Sequence, residues 1–440
     1  MAYIILAVFL ILFFLFLVKP KAGLYLMALT LPVIGFELAF FSLALPLIDF
    51  VALALLLAFA FRLAFNLLFS PNNLEELKLP LFFPFFLFLL VSFVSAILSE
   101  QIFYSVWYFC RWPLFLYLAY IFVPYNLIKD QKTLKKVIIA AATSSLIVLI
   151  FGFLSLYGQD LRDSFFRIRS VSLAGVFPFG ENHNLIAEFL NVGAFFILSL
   201  RFLAKDLRLK RLLDVFFILS ILGIILTFSR SGWIVLFLQG VAYSIIYLRD
   251  RGLKRHDFIF PIILLLLFLS PLFFKMGRLQ SDNTSSNENR LLLTQIAFEA
   301  FKEKPLLGHG SGSFILLVED NLRFATKYGE AIDSHGVLQK NLAENGVLGF
   351  LAWLFILAAL IKIFIKAINK YSLNYPWLTP LILGALGGLF FQFLNTSYYK
   401  GKVWLPIVLV LLAIKLLDNQ NGKMKNKLKV EAERRVKIKK

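Results

Sequence analysis

Long apolar stretches alternate with short basic connections along most of this 440-residue chain. Each stretch runs for about 18 to 22 residues without a charge, the length that crosses the hydrocarbon core of a bilayer as a helix. Lipid offers no hydrogen-bond partners to the backbone, so these stretches have to be helical. They lack the alternation with polar positions that marks the strands of a membrane β-barrel. The pattern therefore predicts an all-α integral membrane protein.

The pattern predicts 12 or 13 transmembrane helices, because the first three ranges leave the count open. The predicted spans are 3–18, 24–43, 46–69, 79–98, 103–124, 136–157, 185–203, 212–229, 233–248, 257–275, 346–366, 376–396 and 402–417. The first span lacks a basic leader and a small-residue cleavage site, which favours a retained helix over a signal peptide.

The placement of basic residues predicts three regions and their orientation. Residues 1–157 are N-terminal transmembrane helices, 158–418 form a transmembrane core, and 419–440 form a basic tail. Positive-inside bias places that tail in the cytoplasm. The connections that then also lie in the cytoplasm, each with several Lys or Arg, are those near 19–21, 125–136, 204–214, 249–257 and 362–375.

One large extracytoplasmic loop, residues 276–345, separates the tenth and eleventh spans. It is far longer than usual connections, and its acidic and basic residues are nearly balanced. Residues 289–301 read as an amphipathic helix, and a second helix is expected to begin near His335. We expect an ordered loop subdomain. The residues on the apolar face of the first helix are Leu292, Ile296, Ala297 and Ala300.

Composition and charge narrow the functional classes. Sixty per cent of the residues are hydrophobic and 16% are charged, whereas a soluble domain is nearer a quarter charged. The net charge of +19 lies in the short connections and the tail, where topology and anionic lipid headgroups explain it without nucleic acid. The single cysteine, Cys110, excludes an internal disulfide.

Arg230 joins two predicted spans at the outer interface, in the stretch Thr227 to Trp233. Positive-inside bias disfavours an arginine there. One interpretation is that it snorkels to headgroups beside the interfacial Trp233. The other is that it faces the helical bundle and binds a phosphate group, whose oxygens a guanidinium contacts bidentately.

Arg290 opens the amphipathic helix of the loop, as either a solvated surface arginine or a second anion ligand. The glycine-rich stretch that follows, with Gly308 and Gly310, permits a tight turn whose N–H groups could cradle an anion. No Lys-Ser/Thr follows it, as it would in a P-loop, and no nucleophile elbow is present.

His335 lies where the large loop returns to the membrane. In a helix it shares one face with Leu338, Gln339 and Leu342. A structural histidine is one interpretation, and a general base is the other, because the histidine pKa lies near neutrality. The other three histidines form no ligand spacing with it, which argues against a metal site.

Taken together, four stretches resemble the motifs of the O-antigen ligase and polymerase family of polytopic glycosyltransferases, over residues 174–360. They are Gly175 to Ala187, Thr227 to Arg230, Arg290 with Pro305 to Gly310, and Ser334 to Gly349. This chain has Asn182-His183 where the family has Asn-Pro, and Gly336 where Asn is common.

The resemblance implies a metal-independent transferase without a cofactor, at the outer face of the bacterial inner membrane. Its donor would be a glycan on undecaprenyl diphosphate, and its acceptor lipid A-core or another glycan. Arg230 and Arg290 would bind the diphosphate, and His335 would deprotonate the acceptor hydroxyl. Gly308, Gly310, Gln339 and Glu344 would support this site.

Several functions stay open at this stage. The leading one is an O-antigen ligase of lipopolysaccharide biosynthesis, favoured by the single dominant outer loop. A Wzy-type polymerase of O-antigen or exopolysaccharide and a protein-glycosylating ligase are the alternatives within the family. A transporter would place ionisable residues at the bilayer midplane, where Glu37, Asp49 and Arg62 are the candidates.

Overall fold

A computed structural model of the chain describes residues 2–40, 43–69, 76–159, 166–251, 280–395 and 398–438. This part is a bundle of 15 helices with one two-stranded β-hairpin. The helices are α1 (Ala2–Val18), α2 (Pro20–Leu29), α3 (Leu47–Phe69), α4 (Phe82–Ile97), α5 (Ile102–Leu127), α6 (Gln131–Leu154), α7 (His183–Leu203), α8 (Leu207–Leu226), α9 (Arg230–Arg251), α10 (Gln280–Glu303), α11 (Ser313–Glu319), α12 (Leu322–Tyr328), α13 (Val337–Tyr371), α14 (Leu378–Phe391) and α15 (Gly401–Ile438).

The predicted fold class is confirmed: the chain is an all-α, multi-pass membrane protein. Within the described residues, α3, α5, α6, α7, α9 and α13 are long and apolar enough to cross a membrane, and α1, α4 and α14 are shorter apolar helices. Helix α5 contains two π-helical segments, Cys110–Leu114 and Leu116–Phe122. The predicted span 257–275 lies outside the described residues.

The predicted span 24–43 is wrong. Helix α2 ends at Leu29, and the hairpin β1 (Glu37–Phe40) and β2 (Leu43–Pro46) follows it. The chain turns because Gly35 packs on a distant backbone: its N–H donates to the Pro178 carbonyl at 3.0 Å. A Cβ on Gly35 would lie 2.0 Å from the Phe177 carbonyl oxygen. A hydrophobicity pattern cannot predict this contact, because the two segments are far apart in the sequence.

The large loop forms an ordered subdomain with its own small core. Helix α10 is longer than the predicted 289–301, and its predicted apolar face is buried. The side chains of Phe314 on α11 and Phe324 on α12 pack into the same core and are fully buried. The main core of the bundle is separate and extends from Phe16 to Leu417.

Contacts among the helix ends gather the basic connections at one end of the bundle, which we call the basic end. The pairs are Lys21 with Asp130, Gln131 with Gln420, Arg249 with Asn369, and Lys370 with Asp418. Phe202, Asp250 and Ser372 line one small cavity there. This grouping supports the predicted topology, because connections that share a side of the membrane have to meet at one end.

Candidate active site

Arg230 is the first residue of α9 and lies at the end of the bundle opposite the basic end. The turn before it places Phe228 in the left-handed region, at φ 51°. Ser229 fixes the turn because its hydroxyl donates to the Asn184 side chain at 2.6 Å. The Arg230 side chain is exposed, and its Nη2 donates to Asn287 Oδ1 at 3.3 Å. The guanidinium therefore points toward the loop subdomain.

Arg290 lies on α10, half-buried, and its charge is close to that of Arg230. Burial lowers the pKa of Arg290, and the positive charge of Arg230 lowers it further. The Arg290 Nε is buried and has no hydrogen-bond partner among the described residues. Two guanidinium groups that repel each other in this way form a site suited to a doubly charged anion.

His335 lies in the loop just before α13, which begins at Val337. The prediction that His335 is helical and shares a face with Gln339 is therefore wrong, because Gly336 is extended at φ −165° and precedes the helix. The Val337 N–H donates to the Gln392 carbonyl at 3.0 Å and ties the loop to the end of α14. His335 is half-buried, and its Nδ1 has no partner among the described residues.

The electrostatic environment of His335 favours the neutral imidazole. Burial lowers its pKa most, the charge of Arg290 lowers it further, and Asp333 partly opposes this shift. A histidine with a lowered pKa is unprotonated near neutral pH and can accept a proton. Arg290 thus interacts electrostatically with both Arg230 and His335, and the roles expected of these three residues stay predictions.

Lys340 is a charged residue of this region that the sequence analysis missed. It is 1% exposed, and its Nζ donates to both Asp333 carboxylate oxygens at 2.7 Å. It also lies 3.2 Å from Glu344 Oε1 and between the rings of Tyr108 and Tyr398. Its spacing of four from Glu344, just before a membrane span, is the signal that could have found it.

The glycine-rich stretch forms the tight turn that the sequence predicted. One of its N–H groups, however, is hydrogen-bonded within the protein and is not free to bind a substrate anion. Gly308 and Gly310 have positive φ, at 70° and 113°. The Gly310 N–H donates to the Glu344 carbonyl at 2.9 Å, so it is used within the protein. The Phe314 N–H donates to Glu344 Oε1 at 3.3 Å. The turn thus packs on the backbone of α13, and the Phe314 N–H, in the helix that follows the turn, contacts the buried carboxyl group of Glu344.

Gln339 links α13 to α10 beside Arg290. Its Oε1 accepts a hydrogen bond from the Thr294 hydroxyl at 3.2 Å, and Thr294 lies one turn after Arg290. Gln339 therefore fixes the helix that carries Arg290 against the one that follows His335.

Comparison with known proteins identifies a family for part of this chain. Residues 215–354 match the O-antigen ligase family, and this range contains Arg230, Arg290, His335 and Lys340. The superfamily resemblance is confirmed. This segment belongs to the O-antigen ligase superfamily. A ComP-specific O-oligosaccharyltransferase of Acinetobacter baylyi (strain ATCC 33305 / BD413 / ADP1) is 26% identical over 319 residues. That match covers 68% of this chain and 56% of the relative, so the chain spans about half the relative's length.

Two of the three charged residues expected of a transporter, Asp49 and Arg62, have structural partners. Asp49 is buried, with Arg111 Nη2 at 2.7 Å and the Tyr120 hydroxyl at 2.5 Å. Arg62 donates to the Leu17 carbonyl at 3.1 Å, and Glu37 belongs to the hairpin. Across the described ranges, no three His, Cys, Asp or Glu side chains are placed to hold a metal ion.

Proposed function

We propose that the chain is a ligase-type glycosyltransferase that uses a glycan on undecaprenyl diphosphate as donor. The grouping of Arg230, Arg290 and a neutral His335 at one end of a membrane bundle carries this proposal. Two fixed cations neutralise charge on a leaving diphosphate, the task that a divalent cation performs in other transferases. An unprotonated imidazole activates a sugar hydroxyl, which is a poor nucleophile by itself.

The proposed step is a displacement at the anomeric carbon of the donor. The acceptor oxygen forms a bond to that carbon, the bond from the carbon to the diphosphate oxygen breaks, and His335 takes the acceptor proton. The negative charge stays on the diphosphate, where Arg230 and Arg290 bind it. Asp333 and Glu344 are weaker candidates for the base because Lys340 contacts both carboxylates.

The location that fits this chemistry is the outer face of the inner membrane. Positive-inside bias assigns the basic end of the bundle to the cytoplasm, and the candidate site lies at the other end. There Arg230 and the loop subdomain would meet a donor whose polyprenyl tail stays in the bilayer.

The acceptor separates three functions within the superfamily. Lipid A-core as acceptor makes the chain an O-antigen ligase, and another lipid-linked glycan makes it a Wzy-type polymerase. The third function is transfer to a protein, and the name of the relative, a ComP-specific O-oligosaccharyltransferase, is the observation that favours it.

Deleting the gene in its host and separating the extracted glycolipids and glycoproteins distinguishes these functions. A ligase predicts loss of long chains from lipid A-core and accumulation of long polyprenyl-linked glycan. A polymerase predicts single accumulated repeats, and a protein ligase predicts loss of glycan from a protein alone. Unchanged glycans in all fractions would contradict the proposed function.

A further inference from the structure

A cavity of about 480 Å³ opens at the basic end, far from the candidate active site. Such a volume is in the range of small-molecule sites. Residues of α3 and α5, the segment before α4 and the middle of α15 form its wall, and its cationic side chains are Arg62, Lys78, Lys129 and Lys415. Glu76 is the one carboxylate among the lining residues. The cavity is therefore strongly cationic.

The position of this cavity follows from the helices that connect it to the site. Helix α4 begins just after Lys78 and ends near Ser95, whose hydroxyl donates to the Leu307 carbonyl at 2.6 Å in the glycine-rich turn. At 1.5 Å per residue, the 16 residues of α4 separate the cavity from that turn by roughly 20 Å.

Specific contacts between side chains and backbone hold the walls of the cavity in place. Asn126 pairs reciprocally with the backbone of Lys78, accepting from its N–H and donating to its carbonyl, both at 2.9 Å. Lys415 Nζ lies 4.1 Å from the centre of the Tyr125 ring and 3.5 Å from the Tyr125 carbonyl oxygen. These contacts fix the backbone that carries Lys78 and the ammonium group of Lys415 at one concave surface.

The cations lie close enough to influence each other. Burial lowers the pKa of Lys129, and the charge of Arg62 lowers it further. A bound anion would relieve this repulsion, and guanidinium and ammonium groups are the side chains that bind phosphate oxygens.

Apolar side chains complete the cavity and indicate the source of the phosphate. Phe59, Leu63, Leu77, Leu127 and Leu416 line it together with the cations. The next turns of α3 expose Phe65, Leu67 and Leu68, as expected of a surface that faces lipid. A soluble phosphate would not need this apolar wall, whereas a lipid places its headgroup on the cations and its glycerol and chains on the wall.

We propose that this cavity binds the phosphate headgroup of an anionic membrane lipid. The site is independent of glycan transfer, because none of its residues belongs to the candidate active site. It anchors the last turns of α3 and α5, the segment before α4 and the middle of α15 at the headgroup layer of the membrane.

The test uses the full-length protein in an uncharged detergent, titrated with short-chain phosphatidylglycerol, phosphatidylcholine or inorganic phosphate. Binding is measured by native mass spectrometry. We expect the wild type to prefer phosphatidylglycerol, and the double variant Lys78→Gln/Lys129→Gln to lose about fivefold in affinity for each charge removed. If the double variant does not fold, the single variant Lys129→Gln tests the same proposal, with an expected loss of about fivefold in affinity for phosphatidylglycerol.

The matched control is Arg208→Gln/Arg211→Gln, which removes two exposed charges at the start of α8, outside the cavity. This variant is expected to keep wild-type affinity. Equal losses in the control and cavity variants would overturn the proposal, because general surface charge would then explain binding. Inorganic phosphate binding as tightly as phosphatidylglycerol would overturn the assignment to a lipid.

Discussion

Lys340 determines which side chain near His335 can accept a proton. Its ammonium lies within 3.2 Å of carboxylate oxygens of both Asp333 and Glu344, and the side chains of Lys340 and Glu344 are closed to solvent. A buried charge has to be paired, since an unpaired one costs several kcal/mol. Lys340 thus pairs with both carboxylates and opposes their protonation, although Glu344 Oε2, like His335 Nδ1, has no hydrogen-bond partner among the described residues.

The arginine pair gives the first prediction. Arg230→Ala and Arg290→Ala should each lower glycan transfer roughly ten- to 150-fold, because a charged hydrogen bond contributes about 1.5–3 kcal/mol. Arg→Lys should restore only part of the rate, since the planar fork is lost. The control is Arg323→Ala, an exposed arginine of the same subdomain. Wild-type transfer by either alanine variant would remove that arginine from the site.

The second prediction concerns pH. The proposed base is neutral imidazole, and the pKa of His335 lies below the ordinary value of about 6.5. The wild-type rate should stay constant from weakly basic pH down to about that value and fall at lower pH, as His335 gains a proton. His335→Gln should lose most of the roughly 10²–10⁴-fold that a positioned base contributes. An active glutamine variant with an unchanged pH profile would show that His335 only packs the loop.

Helix α13 contains a sharp backbone turn that packs its first part against the loop subdomain. Its backbone turns at Gly346, which has φ 61° and ψ −163°. The sequence predicted that a membrane span begins at this residue. The turn lets the first two turns of α13 pack against the glycine-rich loop before the helix enters the membrane. A Cβ on Gly346 would lie 2.4 Å from the Leu306 carbonyl carbon.

The third prediction uses this contact. Gly346→Ala should lower the melting temperature of the solubilised protein more than Gly329→Ala does. Both glycines have positive φ, which costs an alanine of order 1–3 kcal/mol, but a Cβ on Gly329 meets no atom within 4 Å. The difference between the two variants isolates the close packing of α13 on the loop. Equal shifts would contradict that packing.

The sequence predicted the elements better than their contacts. Most span positions followed from the length of the uncharged runs, and the buried face of α10 followed from its periodicity, because each depends on local sequence. The hairpin after α2 did not, since Gly35 turns there to reach Pro178. The grouping of Arg230, Arg290 and His335 came from a family resemblance, whereas Lys340 depends on pairing with Asp333 across the loop.

The two ends of the helical bundle differ: the candidate site lies at one end, and the basic connections lie at the other. The fourth prediction tests its orientation in a Cys110→Ser background, because Cys110 is exposed. Ser285→Cys should react with a membrane-impermeant maleimide from outside the inner membrane, and Lys423→Cys only after the membrane is opened. Reaction of both from the same side would refute the topology.

The central claim is that the arginine pair and His335 transfer a glycan from a lipid diphosphate without a divalent metal ion. The most direct test is transfer from a purified polyprenyl diphosphate-linked glycan by the purified wild type and His335→Gln, in EDTA and in Mg²⁺. The account predicts wild-type transfer at the same rate in both conditions and little transfer by the variant. Activity that disappears in EDTA and returns with Mg²⁺ would contradict it, as would equal rates for the two proteins.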